Sequence, residues 1–129
     1  MKTKGLALEP RTYRTLVAPP AATLEDASRF RNDGAITGAT WVRLPSGFWV
    51  LDFDPTAPPD YVLIPAAHTQ LDFTSEDFSI IARVRIDSLA SHRVIFNRGL
   101  QATDGYRFIV ISNGQFDLWT NGGGIFQRS

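Results

Sequence analysis

Asp52 and Asp54 are the pair of residues in this chain whose spacing best suits acid–base chemistry. Side chains two positions apart on a strand point to the same face, about 6–7 Å apart along the chain. That separation is compatible with paired-carboxylate hydrolysis of glycosidic bonds. A solvated strand face that ends in an Asx turn accounts for the same two residues. The second interpretation is favoured, and we predict that the protein is not an enzyme.

Other catalytic motifs are missing from the sequence. His68 and His92 are the only histidines, and neither has acidic neighbours at the spacing of a zinc site or a catalytic triad. No serine lies in a Gly-x-Ser-x-Gly turn, and no phosphate-binding loop is present. The chain has no cysteine, which excludes disulfides, thiolate metal sites and a cysteine nucleophile.

Aromatic residues point to binding rather than to catalysis. Three of them could stack on a sugar ring, although aromatic residues at strand spacing more often pack in a core. These are Trp49, Tyr106 and Trp119. Trp119 alternates out of phase with Phe116 and Leu118, which favours a binding role. We predict a ligand-binding site at Trp119, with Asn121 and Asp104 from nearby turns.

Length and charge narrow the classes of partner. The 129 residues suffice for one domain with a substantial core. Thirteen basic and thirteen acidic residues balance, so no overall field attracts nucleic acid or an anionic membrane, and we predict neither as a partner. The N-terminal apolar run ends at Glu9 and Pro10, too early for an export signal. The sequence does not determine the compartment, and extracellular and virion-associated locations are both compatible with it.

The segment from Phe78 to Ile86 has the longest alternation of residue types. Every second residue is apolar, and only an extended strand separates the two sets onto opposite faces. We predict that Phe78–Ile86 is the central strand of the fold and that the other strands pack around it.

Short apolar runs split by turn residues continue from Asn32 to the end of the chain, as in an all-β sandwich or barrel. Asn113-Gly114 is the strongest hairpin signal, because both residues can adopt positive φ. Residues 1–31 contain three prolines and little periodicity. We predict an extended N-terminal arm over 1–31, one β-sandwich domain over 32–129 and negligible helix.

Several motifs occur in order between Asp26 and Gly124. They include Asp26-Ala-Ser-Arg-Phe-Arg-Asn-Asp-Gly, Leu51-Asp-Phe-Asp, Asp60-Tyr-Val-Leu-Ile-Pro, Asp77-Phe-Ser-Ile-Ile-Ala-Arg-Val-Arg and Gly105-Tyr-Arg-Phe-Ile-Val-Ile-Ser-Asn-Gly. In order and spacing they resemble laminin-G-like domains of the concanavalin A-like lectin and glucanase superfamily. The resemblance implies an antiparallel jelly-roll β-sandwich that binds glycans or protein surfaces.

The sequence departs from that family in three places. Pro55 stands where glycine is usual, Arg83 stands where tryptophan is frequent, and the chain ends at Ser129 where such domains continue with further strands. We therefore expect a shortened sandwich, which is either a fragment of such a domain or is completed by another chain. Related glucanases carry three acids along one strand, and no third acid follows Asp54 here.

Calcium is the cofactor that the resemblance raises, because laminin-G-like domains often bind it at a loop rim. Oxygen ligands here would come from Asp60 or Asp104, with Asn97 and loop carbonyls as further candidates. The sequence lacks the ligand spacing of an EF-hand. We predict no obligatory cofactor and keep calcium as the alternative.

These observations favour a non-catalytic recognition module that binds a glycan or a protein surface through the loops at 54–60, 97–105 and 120–124. The alternative is a structural subunit of an assembly, such as a virion or capsid-decorating protein. Strand 106–111 is apolar on both faces and needs cover on both sides. We therefore predict a homo-oligomer whose interface involves residues 1–22 or the segment Ile125–Ser129.

Overall fold

The computed structural model describes residues 10–54, 56, 58–73, 78–99 and 105–120, together with the backbone of 124–125. Within these ranges the secondary structure consists of nine short strands and one turn of 3-10 helix at Thr69–Leu71. No helix there is long and apolar enough to cross a membrane. The strands are β1 (Thr23–Leu24), β2 (Gly34–Thr37), β3 (Thr40–Arg43), β4 (Trp49–Asp52), β5 (Tyr61–Leu63), β6 (Arg93–Arg98), β7 (Tyr106–Val110), β8 (Phe116–Thr120) and β9 (Gly124–Ile125).

The chain divides after Leu71 into two compact units. The first unit contains a three-stranded sheet of order β1-β2-β5 and the two-stranded sheet β3-β4, and the second contains a four-stranded sheet of order β6-β7-β8-β9. All these pairings are antiparallel. The predicted all-β class is therefore confirmed. None of the three sheets is closed, and the predicted jelly-roll sandwich is not confirmed.

A buried carboxylate shapes the connection between β1 and β2. Asp26 is fully buried, and its Oδ1 accepts the amide of Ser28 at 2.8 Å. Its Oδ2 accepts the Ser28 hydroxyl at 2.6 Å and the Asn32 amide at 2.7 Å. Because a buried carboxylate needs several donors to replace its hydration, these bonds fix the loop that leads from β1 into β2.

Residues 13–20 lie against the β3–β4 hairpin. The backbone amide of Trp49 donates to the carbonyl of Tyr13 at 3.1 Å, and its indole Nε1 donates to the carbonyl of Thr15 at 3.0 Å. The indole Nε1 of Trp41 donates to the carbonyl of Pro20, also at 3.0 Å. Both indole N–H groups are therefore satisfied by backbone carbonyls of this segment, which covers the face of the hairpin that carries the two tryptophans.

The hairpin predicted at Asn113-Gly114 is confirmed, with one difference in its turn. The amide of Gly114 donates to the carbonyl of Ile111, and the amide of Ile111 donates to the carbonyl of Gln115, both at 2.9 Å. The loop therefore has three residues, 112–114. Gly114 has φ of 87°, whereas Asn113 does not adopt positive φ, as in a type I turn followed by one left-handed residue.

The second unit is organised around Tyr106, the first residue of β7. Its ring centroid lies 4.9 Å from that of Phe78, 5.4 Å from that of Phe73 and 5.6 Å from that of Phe96. The side chain of Tyr106 is buried. Aromatic pairs of this kind add ~0.5–1.5 kcal/mol each beyond the area they bury, so this cluster is a principal packing centre of the unit.

The predicted central strand Phe78–Ile86 is wrong. None of its residues belongs to a strand, and Ile81 and Val84 are 96% and 47% exposed. Alternation indicates which side chains share a face, but a strand also requires a neighbouring backbone to pair with. In the structure β7 takes the interior place predicted for this segment, because it pairs with β6 on one edge and with β8 on the other.

Candidate functional site

Trp119 lies in a row of three side chains that crosses the four-stranded sheet. In the antiparallel ladder Trp119 of β8 is opposite Arg107 of β7, and Arg107 is opposite Asn97 of β6. Directly opposed residues share a face of the sheet. Arg107 Nε donates to Asn97 Oδ1 at 2.9 Å. We call Asn97, Arg107 and Trp119 the Trp119 row.

The opposite face of the sheet is apolar. Phe116 and Leu118 of β8 point to that face, and Leu118 is opposite Phe108 of β7. The rings of Phe108 and Phe116 stack at 5.9 Å between centroids. β8 thus carries Phe116 and Leu118 on one face, and the half-buried Trp119 with the buried Asp117 on the other.

The indole nitrogen of Trp119 is unusual among the tryptophans of this chain. Its Nε1 is buried and donates to no acceptor in the part of the chain that the structure describes. The corresponding atoms of Trp41 and Trp49 both donate to backbone carbonyls. A buried donor without an acceptor costs about 1–3 kcal/mol, so this indole N–H is the one tryptophan donor that the described residues leave without that compensation.

The structure does not bring the other predicted site residues to the Trp119 row. Asn121 and Asp104 are outside the described residues. Asp60, predicted as a candidate calcium ligand with Asp104, closes the loop between β4 and β5 by accepting the amide of Asp54 on Oδ2 at 2.7 Å. Within the described ranges, no group of three or more His, Asp and Glu side chains is placed to hold a metal ion.

Asp52 and Asp54 remain solvent-exposed. Asp52 ends β4 opposite Thr40, and Asp54 accepts the backbone amide of Thr56 on Oδ1 at 2.9 Å. That hydrogen bond to the charged form lowers the pKa of Asp54. A general acid for glycoside hydrolysis needs a raised pKa, so this carboxylate is poorly suited to that role.

Arg107 was not among the predicted site residues, and Asn97 was predicted only as a further candidate calcium ligand. Arg107 has a readable signal, because counting outward from the 112–114 turn places it opposite Trp119. No such count places Asn97 opposite Arg107, because a β-bulge between Val94 and Phe96 shifts the register of β6 against β7.

Comparison of the chain with protein-family models, with curated proteins and with solved structures gave no match.

Proposed function

We propose that this protein is a non-catalytic recognition module that binds a glycan on the Trp119 row. The supporting observation is the placement of an aromatic ring, a guanidinium and an amide side by side across β8, β7 and β6. Aromatic faces pack against the apolar face of a sugar ring, and guanidinium and amide groups donate hydrogen bonds to its hydroxyls. A sheet presents all three groups on a rigid surface.

The position of the row along its strands supports the same proposal. β6 ends at Arg98, β7 begins at Tyr106 and β8 ends at Thr120. The row is therefore one residue from each strand end, beside the connections at 99–105 and 121–123. Loops carried by a rigid sheet accept sequence changes readily. In this proposal the row supplies the affinity for the glycan, and the connections determine which glycan is selected.

The test is a glycan array with the full chain, followed by calorimetric titration of the best ligand with and without calcium. We expect Trp119→Leu to weaken binding at least tenfold, about 1.4 kcal/mol. Phe116→Leu is the matched control, because Phe116 is an exposed aromatic on the opposite face of the same strand. Binding to no glycan in either condition contradicts the proposal, and so does an equal loss in both variants.

A structural subunit of an assembly is the second candidate, supported by an exposed apolar pair in the first unit. Val42 and Val50 are cross-strand partners on the face opposite Trp41 and are 40% and 37% exposed. A second copy of this chain would cover them. Exchange of residues 13–20 between copies would keep the hydrogen bond from the Trp41 indole to the Pro20 carbonyl.

The jelly-roll sandwich also stays a prediction, and it is compatible with either function.

Light scattering of the full chain at micromolar concentration tests this second candidate. We expect the wild type to form a dimer or a larger species. Val50→Asp should shift it toward the 14.3 kDa monomer, because a charge buried at the interface opposes association. Asp52→Asn, at the exposed end of the same face of β4, is the control: it removes a charge and should not lower the mass. A wild-type monomer at all concentrations contradicts the assembly.

A further inference from the structure

We propose that the tip of the β3–β4 hairpin binds a tetrahedral oxyanion, the phosphate or sulfate group of a ligand, between Arg14 and Arg43. This site belongs to the first unit and is independent of the Trp119 row. A side-chain carbon built at Gly47, in the turn of the hairpin, would lie 3.9 Å from Arg14 Nε and 3.9 Å from an Arg43 terminal nitrogen. The two guanidinium nitrogens are therefore no more than twice that distance apart, and both lie next to the position that a side chain at 47 would occupy.

The spacing suits an anion. Charge-assisted hydrogen bonds of about 2.8 Å, made to different oxygens of one phosphate or sulfate, can span such a gap. Gly47 leaves the space open because it has no side chain, and its φ of 88° is a conformation that other residues rarely adopt. The turn thus places a residue without a side chain next to two cations.

Arg14 and Arg43 differ from other arginines of the described residues in their ion pairing. Among the described residues neither forms an ion pair, whereas three other arginines each pair with a carboxylate. Those pairs are Arg11 with Glu25, Arg85 with Asp87 and Arg98 with Asp72. Like charges held close together repel, so an anion that contacts both guanidinium groups would offset their mutual repulsion.

Trp49 positions both cations. Its backbone amide and its indole hold the carbonyls of Tyr13 and Thr15, the two residues that flank Arg14. Arg43 lies directly opposite Trp49 in the β3–β4 ladder. The guanidinium of Arg14 also lies 5.2 Å from the ring centroid of Phe48, in a cation–π contact. Because the backbone around both arginines is already ordered, anion binding costs little further conformational entropy.

The experiment follows the arginine Nε–Hε signals of the full chain by NMR during titration with inorganic phosphate and with sulfate, at constant ionic strength. We expect saturable shifts of Arg14 and Arg43. Arg14→Gln and Arg43→Gln should each weaken binding about tenfold or more, through the loss of a charge-assisted bond. Arg29→Gln is the matched control, because Arg29 lies over the ring of Phe30 and forms no ion pair among the described residues.

A second variant tests the site without removing charge. Asparagine tolerates left-handed backbone, and Gly47→Asn places a side chain in the gap, so we expect it to fold and to lose the anion. Titrations with glucose 6-phosphate, glucose 6-sulfate and glucose then show whether binding requires the ester group. Four results each overturn the proposal: no saturable shift, wild-type binding by Gly47→Asn, an equal loss in Arg29→Gln, or an equal response to glucose.

Discussion

Asp60 and Gly38 form a contact that makes one glycine hard to replace. Gly38 has φ of 77°, and a side-chain carbon there would overlap the carboxylate of Asp60. We predict that Gly38→Ala lowers the free energy of unfolding by roughly 2–4 kcal/mol, from left-handed strain and from loss of the bond between Asp60 and the Asp54 amide. Chemical denaturation measures the change.

Gly47→Ala is the control for that prediction. Gly47 has φ of 88°, but a side-chain carbon there would contact its neighbours only at 3.9 Å. Alanine should therefore add backbone strain of about 1–2 kcal/mol and no overlap. Equal costs at the two positions would show that Asp60 moves aside without loss.

The segment Phe78–Ile86 gives a prediction at the level of secondary structure. Its amides take part in no strand ladder among the described residues, whereas β7 is paired on both edges. We expect the amide of Ile81 to exchange with deuterium at least about a hundredfold faster than that of Phe108, because exchange there needs no opening of a sheet. Exchange measured residue by residue by NMR provides the comparison. Slow exchange throughout 79–85 would instead support the predicted central strand.

Distance along the chain decided which elements the sequence could predict. The β7–β8 hairpin depends on a three-residue turn, so its signal is local, and the alternation around Trp119 gives its face. Phe78–Ile86 has an equally clear alternation, but its pairing depends on distant residues that alternation does not identify. The convergence of Arg14 and Arg43 depends on residues 13–20 folding back onto Trp49, which no local pattern of the arm indicates.

For the molecule as a whole, Tyr106 predicts a loss of stability in alkali. Burial, aided by the nearby charge of Asp72 and opposed by Arg98, raises the pKa of Tyr106 to about 12, from an ordinary value of 10.0. Between these values the unfolded chain releases the phenol proton and the folded chain keeps it. By linkage the free energy of unfolding is unaffected below pH 10 and falls as the pH rises toward 12.

Denaturant titrations at several pH values test this prediction. Tyr106→Phe should reduce the fall between pH 10 and 12. It should not abolish the fall, because burial and the hydrogen bond to Glu25 raise the pKa of Tyr13 in the same direction. Tyr61→Phe is the control, since Tyr61 is 48% exposed. An identical pH dependence in Tyr106→Phe and the wild type would contradict the assignment.

The bonds between the arm and the hairpin also have an evolutionary consequence. Trp41 and Trp49 donate to the carbonyls of Pro20 and Thr15, and every amino acid supplies a carbonyl. Selection acting on these contacts therefore constrains the donors and leaves the side chains of the acceptors free. Homologous chains that keep this arrangement should retain an indole at 41 and at 49 while positions 15 and 20 drift, so the arm can diverge in sequence without detaching.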